Sequence, residues 1–173
     1  MDIILEILKY ALPSIFLLLL TYMMLSNFME NEEKRRSYFL KKETQKSALP
    51  IRLQAYERLS LFLERITPDR LLLRVPSKGL NVSQYRNLLV QNIRTEFEHN
   101  LSQQIYVSEE GWRFLVSAKS ATVGIVNSSA DQLDPKADAI ELSKHILNRE
   151  MEMEVYPTRK ALNFLKAEVK RDF

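Results

Sequence analysis

The sequence predicts an all-α protein: a single N-terminal transmembrane helix continuing into a charged helical stalk, then a four- to five-helix bundle. Three observations predict it. Twenty uncharged residues run from Tyr10 to Met29, and twenty residues of helix rise ~30 Å, the thickness of a bilayer's hydrocarbon core. No glycine or proline interrupts the chain between Pro13 and Pro50. From residue 51 onward, apolar residues recur at the three- and four-residue spacing of a helix buried on one side.

The anchor (residues 1–29) centres on Ile15-Phe16-Leu17-Leu18-Leu19-Leu20. A helix in lipid satisfies its own backbone, so the whole span is expected to be helical. Asp2 and Glu6 against Lys9 give the preceding residues the wrong charge for a signal peptide, and no small-x-small cleavage pattern follows. The C-terminal flank carries Lys34, Arg35, Arg36, Lys41 and Lys42 against Lys9 on the other side. The positive-inside rule then places the N-terminus outside and the domain in the cytoplasm.

The stalk (30–50) opens Glu-Asn-Glu-Glu-Lys-Arg-Arg, with Glu30 four residues before Lys34 and Glu32 four before Arg36. Acid before base at that spacing supports a helix. Tyr38, Phe39 and Leu40 are its only apolar cluster, too short for a coiled-coil seam.

In the bundle (51–156), Pro50 is expected at a first helical turn, with Ala55, Tyr56, Leu59, Phe62, Leu63 and Ile66 forming the buried face. Thr67-Pro68-Asp69 reads as a cap, a first-turn proline and a first-turn acid. Pro76-Ser77-Lys78-Gly79 is a turn. Asn81 and Gln84 have capping-box spacing and open a helix expected to reach about Gln104. Ser108-Glu109-Glu110 opens the next, to about Ala130. Asp138 with Glu141 caps a further helix, and Tyr156-Pro157-Thr158 breaks it. A last helix (157–173) carries Leu162, Leu165 and Val169 on one face, to be docked on the bundle or offered to a partner. Leu71–Val75, Ile105–Val107 and Met151–Tyr156 have strand-like composition but are too isolated to build a sheet.

The composition excludes much chemistry. There is no cysteine, so no thiol nucleophile, thiolate metal site or disulfide is available. Three glycines cannot build a phosphate-binding loop, and two histidines cannot build a three-histidine metal centre. No serine sits in a nucleophile elbow. From residue 51 on there are eighteen Lys+Arg and sixteen Asp+Glu, a balance that argues against nucleic acid as a partner.

Two polar surfaces remain. Gln54, Glu57 and Arg58 alternate with the apolar face of the first bundle helix. Glu98, His99, Asn100 and Gln103 crowd the end of the Asn81 helix. Together they are read as a groove gripping a protein partner, or a second copy of the chain. Glu96 and His99 have the Glu-x-x-His spacing of helical di-iron proteins. A second such pair is absent, so no metal or cofactor is assigned, and a metal-dependent helical enzyme using Glu96 and His99 is the alternative.

Two segments, Leu53-Gln-Ala-Tyr-Glu-Arg-Leu-Ser-Leu-Phe-Leu-Glu-Arg-Ile66 and Ile93-Arg-Thr-Glu-Phe-Glu-His-Asn-Leu-Ser-Gln-Gln-Ile-Tyr-Val-Ser108, resemble an uncharacterised family of small Gram-negative bacterial proteins with one N-terminal membrane anchor and a helical cytosolic domain. The resemblance implies architecture and localisation, and no activity. The expected function is therefore a membrane-anchored scaffold or adaptor that recruits a cytosolic protein, and not an enzyme.

Overall fold

With no charged side chain between Lys9 and Glu30, and no glycine before Gly79, nothing ends the first helix early. The computed structural model describes residues 2–172, and its helix α1 spans Asp2–Arg65. Pro50 does not open a new helix as the sequence suggested. The helix continues past it, and Pro50 instead marks the division between two compact units, Met1–Leu49 and Pro50–Phe173. A proline nitrogen donates no bond to the carbonyl four residues earlier, so the helical ladder lacks one bond here.

The first unit is helix alone. Its described leucines, methionines and aromatics from Tyr10 to Leu40 are exposed on every side, Leu18 at 71%. One stretch, of mean hydropathy 1.7, is long and apolar enough to cross a membrane, and none of it is buried by protein. Lys34 Nζ meets Glu30 Oε1 at 2.8 Å, an exposed pair one helical turn apart.

The second unit packs the end of α1 with α2 (Pro68–Arg74), α3 (Val82–Glu98), α4 (Glu109–Ala130), α5 (Ala139–Glu152) and α6 (Pro157–Asp172). Its core gathers Leu59 and Leu63 of α1 and Ile66 just after it with Leu71, Tyr85, Leu89, Ile93, Leu115, Leu142, Ile146 and Leu165. Burying each such side chain contributes roughly 1.5–3 kcal/mol. Phe62, Phe97 and Trp112 form a chain of ring contacts with centroids 5.9 and 5.6 Å apart. Phe114 stacks on Phe164 at 4.4 Å, and Ala161, Leu162 and Leu165 are buried, so α6 is part of the packing.

Helices α3 and α5 start from one point. Their N-cap residues, Asn81 and Asp138, form an isolated antiparallel bridge. The Val82 N–H donates to the Ala137 carbonyl and the Ala139 N–H to the Leu80 carbonyl. The Asn81 capping box is complete, its Oδ1 accepting from the Gln84 N–H at 2.9 Å and its N–H donating to Gln84 Oε1 at 3.1 Å. Asp138 caps through the Ile140 N–H, while Glu141 turns instead to Lys144. Thr67 does not cap with its side chain: its hydroxyl donates backwards to the Glu64 carbonyl at 2.6 Å. Gly79 makes the preceding turn with φ of 77°, a left-handed conformation that costs a glycine little.

Helix α3 stops six residues short of Gln104. Asn100 Nδ2 donates to the Glu96 carbonyl at 2.8 Å, and its own N–H to the Phe97 carbonyl at 3.0 Å. A side-chain amide that takes a helix carbonyl competes with the ladder, and the chain tightens into a 3₁₀ turn over Leu101–Ile105.

Candidate functional site

The polar residues singled out in the sequence divide into two strips. Gln54, Glu57 and Arg58 are exposed on α1, opposite buried Ala55, Tyr56 and Leu59. Glu98 and His99 are exposed at the end of α3, and Asn100 and Gln103 are half-buried in the segment after it. That segment is held to α1 at both ends: Phe97 meets Phe62, and Arg52 Nε donates to the Tyr106 carbonyl at 3.3 Å. Those contacts run through Phe62 and Arg52, not through Gln54, Glu57 or Arg58. Among the described residues, no hydrogen bond or ion pair joins Gln54, Glu57 or Arg58 to Glu98, His99, Asn100 or Gln103. A shallow hollow beside Gln54 and Glu57 is lined otherwise by Pro50, Ile51 and Leu53.

Glu96 has a different partner set from the one its spacing suggested. Its Oε1 accepts Arg74 Nη1 at 2.7 Å and meets Arg65 Nη2 at 3.0 Å, with the side chain only 14% exposed. One carboxylate thus fastens the ends of α1, α2 and α3. A cation at Glu96 and His99 would have to displace two guanidinium groups from the oxygen they share. Among the described residues, no three His, Asp or Glu side chains gather as a metal-ligand set.

A second carboxylate is buried more deeply. Glu168 on α6 is 2% exposed, and its Oε2 lies 2.7 Å from where a Cβ on Gly111 would stand. Gly111 is in the first turn of α4, and its N–H donates to the Ser108 cap at 2.9 Å. A negative charge beside a helix N-terminus is favoured by the helix dipole. Tyr56 faces the same carboxylate. Burial first, and then the Glu168 charge, push its phenol above the ordinary value, while Arg52 opposes them. This cluster is enclosed in the packing and opens to no cavity among those described.

The site that sequence reasoning missed is an open groove of about 580 Å³ between α3 and the C-terminal end of α4. Arg86, Asn87, Val90, Gln91 and Arg94 line it from α3, and Asn127 and Asp131 from α4. The five α3 residues lie on a face that flanks buried Tyr85, Leu89 and Ile93, and Val90 packs partly against the core. Arg86 is loosely held: it approaches the exposed Asp131 at 3.8 Å and its neighbour Asn87 at 3.3 and 3.4 Å. Among the described residues Arg94 makes no hydrogen bond or ion pair, and the Gln91 and Asn127 amides make none. Such unspent capacity suits polar recognition, since a side-chain amide matches a peptide's own donor and acceptor and a guanidinium forks onto a carboxylate. The signal was present in the spacing of Arg86, Asn87, Gln91 and Arg94, but nothing local says which element opposes it.

The chain belongs to a family of unknown function (DUF7935), whose model matches residues 2–172. No curated protein and no solved structure matches it.

Proposed function

We propose that this chain is a single-pass protein of a bacterial inner membrane whose helical unit recruits a cytosolic protein partner. The placement is supported by the Tyr10–Met29 stretch, which is apolar all round and covered by no protein, so lipid is the solvent that suits it. The basic flank at Lys34, Arg35, Arg36, Lys41 and Lys42 supports an outside N-terminus and a cytoplasmic second unit.

The observation that carries recruitment is the α3–α4 groove. It is open, outside the core, and lined by amides and guanidiniums with bonding capacity left over. Nucleophile, base and orienting group do not converge on it, so it suits binding better than turnover. In-membrane photo-crosslinking from probes at Glu57, Glu98 and Gln91 tests the reading. A discrete adduct with another protein is expected. Adducts between copies alone would make the chain a self-associating structural protein, and no adduct from any position would end the recruitment reading.

A further inference from the structure

Resting on that recruitment reading, we infer that the α3–α4 groove binds an extended, acidic segment of the partner protein, with carboxylates four residues apart and an apolar residue midway. Arg86, Val90 and Arg94 stand at successive turns of one face of α3 and all line the groove. The eight-residue separation of the two arginines corresponds to a helix rise of ~12 Å. Four residues of extended chain span ~13 Å and return side chains to the same face, because the strand period is two. Acids at the first and fifth positions therefore meet Arg94 and Arg86, and the third residue faces Val90. Gln91 and Asn127 are placed to bond the segment's main chain between those anchors.

Charge sets the class of ligand. Arg94 has no counter-ion among the described residues, and Arg86 has only a long contact at 3.8 Å to a carboxylate that is itself solvent-exposed. An incoming carboxylate can replace that contact at little cost, because a long, exposed ion pair contributes little. Asp131 on the rim repels a densely charged phosphate chain, whereas a peptide with spaced acids avoids it. The amides add main-chain recognition that a lipid headgroup or nucleic acid would leave unused.

The test uses the full-length protein in detergent micelles and a fluorescein-labelled peptide with the core Glu-Ser-Val-Ser-Glu, read by fluorescence anisotropy. Saturable binding is expected, weakening as salt rises. A Gln-Ser-Val-Ser-Gln core, and one with adjacent acids, are expected to bind at least about tenfold more weakly, as is the acidic core to the Arg86→Gln/Arg94→Gln double variant. The single variant Arg94→Gln, at an exposed and unpartnered position, keeps the unfolding midpoint while losing several-fold in affinity.

Equal binding of the acidic and neutral cores, or of wild type and double variant, overturns the inference. So does capture of phosphatidylglycerol vesicles through Arg86 and Arg94 in place of the peptide. If the acidic core fails while probes at Glu57 and Glu98 still crosslink a partner, the recruitment reading survives and this inference falls. If both fail, both fall.

Discussion

Two halves of one helix use the same apolar residues in opposite ways. Along Tyr10–Met29, leucines, methionines and aromatics point in all directions and stay exposed. Along Ile51–Arg65 a stripe of them is buried, Leu59 and Leu63 fully, while Ile51, Leu53 and Leu61 stay exposed. Backbone conformation is common to both, so helix propensity cannot distinguish them. The angular distribution of apolar side chains does: an all-round pattern suits an apolar solvent, and a stripe suits a protein core.

The strongest way to break that comparison is a pair of substitutions read by two assays. Phe62→Ala removes a buried ring that touches Phe97 and is expected to destabilise the second unit by about 3–5 kcal/mol. Urea unfolding followed by the fluorescence of Trp112, the single tryptophan, reads the loss, while membrane fractionation stays unchanged. Leu18→Arg, in the middle of the span, is expected to cost about 3 kcal/mol of insertion and to shift the chain towards the soluble fraction. It leaves the urea midpoint where it was. If Leu18→Arg lowered the urea midpoint, the span would be a second core and the distinction between the halves would collapse.

The next effect tests how tightly the folded unit is fitted. Gly111→Ala brings a methyl group to within 2.7 Å of Glu168 Oε2. Overpacking of this kind costs about 1–3 kcal/mol. Glu168→Ala in the same chain removes the collision, so the double variant is expected to lose less than the two single losses added together. Additive losses would show that Gly111 and Glu168 do not press on each other. Asn81→Ala is smaller: it deletes one half of the capping box, and such caps are worth ~1 kcal/mol. Because Asn81 also bridges to Asp138, hydrogen exchange should rise at the start of α5 as well as α3.

These cases also show what the sequence could and could not yield. The stripes, the uncharged span and the caps at Asn81, Ser108 and Asp138 were legible because each is decided within a few residues. Thr67 was misread, since a hydroxyl that caps forward and one that bonds backward to Glu64 look alike in sequence. The end of α3 was placed too late because only the Asn100 amide, not the apolar spacing, terminates it. Glu96 looked like half of a metal motif, yet its partners Arg65 and Arg74 come from two other helices. In sequence Glu168 is only one more charge on an amphipathic helix. It is buried because Gly111, fifty-seven residues earlier, leaves room for it beside the start of α4. The groove failed to appear for the same reason. Arg86 and Arg94 are regularly spaced, but Asn127 and Asp131 reach them only through packing.

The smallest effect sharpens the comparison through pH. Tyr10–Met29 contains no Asp, Glu, His, Lys or Arg, so pH-dependent stability should belong to the second unit. There, burial first and then the Asp69 charge hold the Glu150 carboxyl above its ordinary 4.5, against the pull of Arg159. The folded chain therefore holds this proton more tightly than the unfolded chain does, and stability falls as pH rises from 4.5 towards the raised value. Glu150→Gln is expected to flatten that limb of the urea midpoint against pH. The phenols of Tyr56, Tyr85 and Tyr156 are raised above 10.0 chiefly by burial, so the same sign returns in alkali, and Tyr156→Phe should flatten the fall above pH 10. Neither substitution touches membrane partitioning if the two halves are as separate as their side chains indicate. A pH-dependent shift in fractionation that Glu150→Gln abolished would mean that the folded unit itself helps hold the chain at the membrane.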